Sequence, residues 1–280
     1  MDAFVFAAVL FAAACHAGWN ASIKRGLDPL ATTVAISLGA ALVSLFALPV
    51  VGLPARDAWP WVLASIAIHL VYFGALIESY RVGDMGQVYP IARGAAPLMT
   101  ATVTTFVGER LGLVGWLGVV LLAAGVLLLS LRGGRDLAKL NSRAVGFALF
   151  TAVTVCAYSV VDGVGARLAG SAHAYSAALF VGIGPVMAAY ALNRGGISAL
   201  DDTMRLWLTG LAGGALQLGS YGIAIWAMTL APIAIVAALR ETSVLFGALI
   251  AVILLKEPLR PGRMAAAVLI VCGLVLVRLY

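Results

Sequence analysis

Residues 84–107 read DMGQVYPIARGAAPLMTATVTTFV, and residues 232–255 read PIAIVAALRETSVLFGALIAVILL. Each stretch is long and apolar enough to cross a lipid bilayer, yet each carries an arginine near its middle, Arg93 and Arg240 respectively. An ionised side chain at membrane depth costs about 2.5 to 3.5 kcal/mol on insertion scales, so it normally faces a cavity, a partner or a pathway. Two such arginines, 147 residues apart in halves of the chain that resemble each other, predict a binding site.

The composition places the chain in a membrane. Of 280 residues, 63% are hydrophobic and 11% are charged, and no water-soluble core of this size could bury so much apolar surface. A span takes about 20 apolar residues, and the sequence provides ten such runs. The predicted fold is an all-α integral membrane protein with ten transmembrane helices, over residues 3–23, 31–51, 59–80, 84–107, 112–131, 143–166, 173–192, 205–229, 232–255 and 262–279.

The distribution of basic residues predicts the orientation. With the amino terminus in the cytoplasm, the cytoplasmic segments would hold four Lys and Arg residues and the opposite side twelve. Cytoplasmic loops normally carry the excess, so both termini are predicted outside, in the periplasm, and the linker 132–143 in the cytoplasm. The first run has Asp2 as its only early charge, so it is predicted to be an uncleaved first span in the inner or plasma membrane.

Shifting the chain by 148 residues aligns its two halves without a gap over a long stretch. Tyr72-Phe-Gly-Ala-Leu-Ile77 falls on Ser220-Tyr-Gly-Ile-Ala-Ile225, and the loop residue Glu109 falls on Glu257. The halves are predicted to be two repeats of five spans each, over residues 1–135 and 136–280. Because five is odd, the second repeat is inverted, which is the architecture of secondary transporters with a site near the bilayer midplane.

A family resemblance rests on YRVGDMGQVYPIARGAAP at residues 80–97, VGERL at residues 107–111 and the looser copy LKEP at residues 255–258. With the glycine-bearing fifth span, these motifs resemble the EamA-type, ten-helix branch of the drug/metabolite transporter (DMT) superfamily. The resemblance implies a basket of helices with a central cavity, which moves small metabolites such as amino acids or other polar organic compounds across the inner membrane. It does not select a substrate.

The predicted substrate site centres on the fourth and ninth spans. The fourth span carries a polar stripe at helical spacing, made of Tyr89, Arg93, Thr100 and Thr104. The planar guanidinium groups of Arg93 and Arg240 suit carboxylate or phosphonate oxygens, which favours a zwitterion or a small organic anion. Because adjacent helical residues point about 100° apart, only one of Arg240 and Glu241 is expected to face the ligand. The alternative is that both arginines form internal ion pairs, for example Arg240 with Asp162.

Other spans contribute further candidates. The predicted substrate-binding set also contains Asn20, Tyr72, Tyr158, Gln217 and Tyr221. Protons are a candidate coupling ion, and the residues in the spans that could carry them or balance charge are His16, His69, Asp162 and Glu241. The alternatives are that Asp162 is solvated near the end of its span and that each histidine only fills space between helices.

The sequence favours a carrier over other classes of membrane protein. It contains no metal-ligand motif, no assignable nucleophile–base pair and no ATP-binding motif, so no cofactor and no metal are predicted and an intramembrane enzyme is disfavoured. A channel would need a ring of equivalent groups, and a scaffold would not explain charges at mid-span. The predicted function is a secondary transporter that exports an amino acid, an aminophosphonate or another zwitterion or organic anion by alternating access. A multidrug or aromatic-compound efflux carrier is the alternative.

The predicted partners are a small-molecule substrate and the lipid bilayer. Basic loops account for the net charge of +6, so no nucleic acid is predicted. The chain is expected to be a monomer or a weak dimer, because the small-residue face of Gly210 and Gly214 is predicted to pack within the monomer. Glu109 and Arg110 are predicted to be structural rather than ligand-binding.

Overall fold

The computed structural model describes residues 1–23, 29–82, 85–130, 142–195, 204–247, 249 and 261–280, with side chains except at 19–23, 29, 76–82, 85–90, 130, 143, 144 and 195. The side chains of Asn20 and Tyr89, linker residues 131–141 and the motif at 255–258 lie outside the described residues. The ten α-helices in these ranges are α1 (Ala3–Ile23), α2 (Pro29–Val51), α3 (Trp59–Val82), α4 (Met85–Phe106), α5 (Leu113–Ser130), α6 (Ser142–Leu168), α7 (Ala172–Gly195), α8 (Met204–Leu230), α9 (Ile233–Arg240) and α10 (Pro261–Leu279).

The predicted helical fold is confirmed, and the helix ends fall within three residues of the predicted spans except in the ninth. Local chemistry explains where the helices stop. Gly52, Gly108 and Gly170 have positive φ, a conformation that only glycine adopts without strain, and each lies one or two residues beyond a helix. Pro29 and Pro261 open α2 and α10, where the missing amide hydrogen costs nothing.

The helices have the surface of a membrane protein. Among the described residues, five stretches are long and apolar enough to span a bilayer: Leu30–Val51, Arg56–Ala75, Val145–Leu168, Ala172–Arg194 and Pro261–Leu279. Two shorter apolar helical stretches are Ala3–Gly18 and Leu113–Leu129. Large apolar side chains such as Phe4, Phe46 and Phe106 are exposed on the helices. Lipid, rather than water, is the environment that suits such a surface.

The chain forms two compact units. Unit 1 contains residues 1–14, 71–160 and 230–280, and unit 2 contains residues 15–70 and 161–229. The units therefore do not follow the predicted repeat boundary between residues 135 and 136, because each takes segments from both halves of the sequence. In unit 2, residues 15–70 have repeat equivalents at 163–218, which lie within the other segment of that unit. The repeat boundary and the inverted orientation stay predictions.

Unit 1 is built around the crossing of α5 and α10. A β-carbon placed on Gly125 would lie 2.6 Å from Ile270 Cγ1 and 3.0 Å from the Ala266 carbonyl oxygen. A β-carbon placed on Gly273 would lie 2.8 Å from Leu122 Cγ and 3.0 Å from the Gly118 carbonyl oxygen. The two sets are exchanged by a shift of 148 positions: Gly125 corresponds to Gly273, Leu122 to Ile270 and Gly118 to Ala266. Such reciprocal contacts are what a local two-fold relation between two helices produces.

Both chain termini lie at the same end of unit 1. The Arg278 guanidinium donates to the Met1 carbonyl at 2.6 Å, and the Tyr280 hydroxyl donates to the Arg110 carbonyl at 3.1 Å. In the same loop, both carboxylate oxygens of Glu109 accept the backbone amide of Ile233, at 3.0 and 2.9 Å. Glu109 thus caps the start of α9, and the prediction that this residue is structural is confirmed. A shared end for both termini is what an even number of spans requires.

In unit 2, α2 packs closely against α7 and α8. A β-carbon on Gly210 would lie 2.7 Å from the Ala35 carbonyl oxygen. Gly39 and Gly214 approach the backbones of Gly210 and Ala40 as closely, so no side chain fits between the helices. The small-residue face of α8 therefore packs within the chain, as predicted, and permits the close approach typical of membrane helices.

Candidate substrate and coupling sites

The ninth span is interrupted where it carries its charged residues. Helix α9 ends at Arg240, Glu241 and Thr242 form a turn, and residues 243–247 are helical again. The amides of Glu241 and Thr242 donate to the carbonyls of Ala238 and Leu239, three residues back instead of four. This tightening is typical of a 3₁₀ turn and often marks a functional position. The continuous helix predicted over residues 232–255 is therefore wrong at this point.

Arg93 on α4 is paired with Glu241 at this turn. Its Nη1 lies 3.0 Å from Glu241 Oε2 and 3.1 Å from Oε1, and the two side chains are only 8% and 4% exposed. The partners are 148 residues apart, which is the shift that aligns the two predicted repeats. The internal ion pair that the sequence left open is therefore present for Arg93. Its role in binding an anionic substrate group stays a prediction.

Arg240 points to a different partner from that of Glu241. The Tyr158 side chain on α6 lies near the Arg240 side chain, and the Tyr72 ring stands edge-on to that of Tyr158 with centroids 5.7 Å apart. Adjacent helical residues diverge by about 100°. Glu241 can therefore contact Arg93 on α4 while Arg240 faces Tyr158 on α6. Unit 1 thus brings together five of the predicted residues: Tyr72, Arg93, Tyr158, Arg240 and Glu241.

The threonines of the polar stripe on α4 bond to their own helix. The Thr100 hydroxyl donates to the Ala96 carbonyl at 2.9 Å, and the Thr104 hydroxyl to the Ala101 carbonyl at 3.2 Å. Bonds of this kind satisfy a hydroxyl inside an apolar helix without any ligand. Among the described side chains of this stripe, Arg93 is therefore the one that stays a candidate for contact with a ligand.

Asp162 on α6 is the centre of a polar cluster in unit 2. It is 0% exposed, so the alternative of a solvated aspartate is wrong. The Tyr175 hydroxyl donates to Oδ1 at 2.9 Å, and the Tyr221 hydroxyl makes a short hydrogen bond to Oδ2. Ser65 on α3 lies near the same carboxylate. No sequence spacing relates α6 to Ser65 on α3 or to Tyr175 on α7, so the sequence could not identify these two neighbours.

His69 lies one helical turn after Ser65 on α3. Its Nδ1 is 2.9 Å from the Ser65 carbonyl oxygen and 3.2 Å from Ser65 Oγ. A carbonyl only accepts, so Nδ1 carries the hydrogen in this arrangement. The ring also stands edge-on to that of Tyr221, with centroids 5.8 Å apart. Unit 2 thus brings together three predicted residues, His69, Asp162 and Tyr221.

Two further predicted residues lie on helices of unit 2. Gln217 lies on α8, one turn before Tyr221, and its buried Oε1 has no hydrogen-bond partner among the described residues. His16 is half-buried on α1. The proposed roles of both residues stay predictions.

The chain is similar to known proteins in sequence and in fold. Residues 142–279 match the model of the EamA-like transporter family. An "uncharacterized transporter in cobO 3'region" from Sinorhizobium sp. is 40% identical over 68 residues, which cover 24% of this chain and 45% of that relative. The match therefore spans less than half of the relative's own length.

One solved crystal structure has the same fold, with a TM-score of 0.78 at 18% identity, covering 99% of this chain and 96% of the other. The likeness extends over all ten helices, whereas the family match covers the second half of the sequence. The second half of this chain is thus similar to the EamA-like transporter family, and the apolar helices of the described residues are those of an integral membrane protein.

Proposed function

We propose that the protein is a secondary transporter of the inner or plasma membrane that exports a small polar metabolite with an anionic group. The candidate substrates are amino acids, aminophosphonates and other zwitterions or organic anions. The observation that carries this proposal is the burial of Arg93, Arg240 and Glu241 around the turn in the ninth span. Buried ionisable groups and interrupted helices in membrane proteins are typical of substrate pathways.

The charge balance at the turn favours an anionic group. The carboxylate of Glu241 offsets the charge of Arg93, with which it forms the ion pair. The Arg240 guanidinium and the Tyr158 hydroxyl, which lie near each other, both offer hydrogen-bond donors. A carboxylate or phosphonate beside Arg240 would gain charge-assisted bonds from a planar donor fork. A lipophilic cation would instead meet two guanidinium groups and one carboxylate.

A thermal-shift screen of the purified protein tests the substrate class. Amino acids, aminophosphonates and nucleosides are added separately, because a ligand at about 100 times its Kd stabilises the native state by about 2.7 kcal/mol. We expect a zwitterion or anion to raise the midpoint of unfolding. Arg240→Gln should weaken the affinity for this ligand by roughly tenfold to a hundredfold, because it removes a charged hydrogen bond worth about 1.5 to 3 kcal/mol.

A charge-neutral double variant separates binding from folding at Arg93. In Arg93→Gln/Glu241→Gln no unpaired charge is left by the substitution, so a loss of affinity reports on substrate contact rather than on a stranded carboxylate. Arg205→Gln is the matched control, because Arg205 is an exposed residue at the start of α8. The proposal would be wrong if Arg240→Gln, Arg93→Ala and the double variant all bound the substrate with unchanged affinity.

An aromatic cluster supports a second candidate, efflux of aromatic compounds. The rings of Tyr72 and Phe73 are edge-on at 5.2 Å, and Tyr72 is edge-on to Tyr158 at 5.7 Å. Such a group could hold a planar substrate by ring contacts. Stabilisation by tetraphenylphosphonium but by no amino acid or aminophosphonate would favour this candidate over the first.

A further inference from the structure

We propose that Arg93 and Glu241 are the two halves of a site for a zwitterion, and that the ion pair between them is the closed state of this site. A zwitterion enters between the two side chains: its carboxylate or phosphonate binds Arg93, and its ammonium group binds Glu241. The inference rests on the proposed transport of a small polar metabolite. It narrows that proposal from any organic anion to a compound that carries both charges.

The contact between the two side chains is one that a ligand can replace like for like. Both carboxylate oxygens of Glu241 bind a single nitrogen of Arg93, Nη1, at 3.0 and 3.1 Å. The strongest geometry for these two groups is the fork, in which two nitrogens each donate to one oxygen. Glu241 does not reach that geometry. A ligand carboxylate at the same nitrogen therefore loses nothing in comparison with Glu241.

Charge balance selects a ligand with both charges. Taking one partner from a buried ion pair leaves the other charge uncompensated, which is strongly destabilising. Among the described side chains, Arg93 is the one that binds the Glu241 carboxylate. An organic anion on Arg93 would therefore strand Glu241, and an amine on Glu241 would strand Arg93. A zwitterion supplies both opposite charges at once, so the total charge of the site is the same when it is closed and when it is occupied.

The ion pair is not an efficient way to hold α4 against the ninth span. The cost of removing two charges from water can exceed their attraction, and apolar residues in their place are often as stable or more stable. Ionisable groups inside a membrane are also rare outside substrate and ion pathways. Two buried side chains of opposite charge on neighbouring helices therefore indicate a function beyond packing.

The turn in the ninth span allows Glu241 to move away from α4. Glu241 and Thr242 lie between α9 and the helical residues 243–247, and the Glu241 amide donates to the Ala238 carbonyl three residues back. Residues at the ends of helical segments can absorb the φ and ψ changes of a hinge. Opening of the ion pair therefore takes a rotation at the turn, and the helical segments on either side stay intact.

A buried hydroxyl beside the turn also points to a ligand. Ser243 is only 3% exposed, and its Oγ has no hydrogen-bond partner among the described residues. The neighbouring Thr242 hydroxyl, by contrast, donates to the Leu239 carbonyl at 2.6 Å. Most buried hydroxyl groups in proteins are hydrogen-bonded, so an exception calls for a partner from outside the chain. We assign the Ser243 hydroxyl as a further donor to the anionic end of the zwitterion.

Dissection of the ligand tests the site in the unaltered protein. Each of the twenty standard amino acids and 2-aminoethylphosphonate is compared by thermal shift with its deaminated acid and with its amine, for example alanine with propionate and ethylamine. A zwitterion that stabilises the wild type should lose roughly tenfold to a hundredfold in affinity when either charged group is removed, the factor that a charged hydrogen bond represents.

Two single substitutions should exchange the preferred ion. Glu241→Gln takes the carboxylate away from Arg93, so propionate should stabilise this variant and ethylamine should not. Arg93→Gln takes the guanidinium away from Glu241, so ethylamine should stabilise this variant and propionate should not. The ratio of the two dissociation constants should move by roughly tenfold or more, in opposite directions. Glu109→Gln is the matched control, because it is the same substitution at a structural acid of unit 1, and it should leave the ratio unchanged.

The zwitterion site would be wrong if neither single variant preferred the complementary ion, or if the deaminated acids bound the wild type as tightly as the zwitterions. In both cases the proposed transport of an organic anion would stand. If no zwitterion and no anion stabilised the wild type, the proposed function would fail together with the site. A single variant that folds only in the presence of its complementary ion supports the site. If a variant folds under neither condition, the comparison in the wild type decides.

Discussion

At the scale of single residues, the ion pair between Arg93 and Glu241 explains how an arginine is tolerated in the middle of the fourth span. Both side chains are buried, and each supplies the opposite charge that the other needs. The Arg93 guanidinium binds both carboxylate oxygens through one nitrogen. The partners lie 148 residues apart, so the ion pair also connects the two halves of the sequence.

The first prediction concerns the stability that this pair protects. Arg93→Gln or Glu241→Gln alone should lower the free energy of unfolding by about 3–5 kcal/mol, because each strands a buried charge. The double Gln variant should recover most of that loss. Chemical unfolding in detergent, with Arg205→Gln as control, measures the cycle. Additive losses in the double variant would show that the two side chains do not interact.

The second prediction concerns Glu109, which caps α9 from the loop after α4. Pro232 precedes α9 and has no side-chain cap, so Glu109 satisfies the amide of Ile233 instead. Glu109→Ala should destabilise the protein by about 0.5–2 kcal/mol, the usual cost of a lost amino-terminal cap. Arg110→Gln is the neighbouring control, because that residue contributes its backbone carbonyl to Tyr280. Equal melting temperatures for Glu109→Ala and the wild type would contradict the cap.

The sequence identified most of these residues but not their partners. Arg93, Arg240 and Asp162 were conspicuous because charged side chains are costly in an apolar helix. The pairing of Arg93 with Glu241 followed from no local spacing, since the two helices meet only in the folded chain. Tyr175 and Ser65 gave no signal, because a lone tyrosine or serine in a span is common.

At the scale of elements, glycines determine how closely α5 and α10 cross. Gly118 also takes part, since a β-carbon there would lie 2.7 Å from Val277 Cγ2. Without a hydrophobic driving force between helices in lipid, such close backbone approach is a main source of association. The crossing therefore depends on residues with no side chain.

The third prediction tests the reciprocity of this crossing. Gly125→Ala and Gly273→Ala should each destabilise the protein by about 1–3 kcal/mol, because the new methyl group must displace a close-packed neighbour. Their effects should be similar, since the two glycines have equivalent surroundings. Gly146→Ala on α6 is the matched control, because a β-carbon there would have nothing within 4 Å. Thermal unfolding in detergent compares the three, and a loss as large in Gly146→Ala would contradict the packing argument.

At the scale of the whole molecule, the fourth prediction concerns topology. Contacts in unit 1 place both termini and the 107–112 loop at one end, and the distribution of basic residues predicts that this end is periplasmic. A reporter active only in the cytoplasm should be inactive when fused after Tyr280 or inserted at Gly112. It should be active at Asp136, in the linker. Activity after Tyr280 would reverse the predicted orientation.

The sequence by itself determined the membrane setting, the number of spans and nearly all their ends. These properties depend on local composition: apolar runs of sufficient length, and glycine and proline where a helix starts or stops. It also indicated which charged residues are unusual and which loop glutamate is structural. It did not reveal the turn after Arg240, because an apolar run of 24 residues reads as one helix.

Only the tertiary structure decided which charges meet. It paired Arg93 with Glu241 and placed the hydroxyl groups of Tyr175 and Tyr221 on Asp162. The physical reason is that hydrogen bonds and ion pairs act over about 3 Å, whereas these partners are separated by 13 to 148 residues along the chain. Contacts of such short range depend on how helices pack, and the order of residues within any one helix does not contain that information.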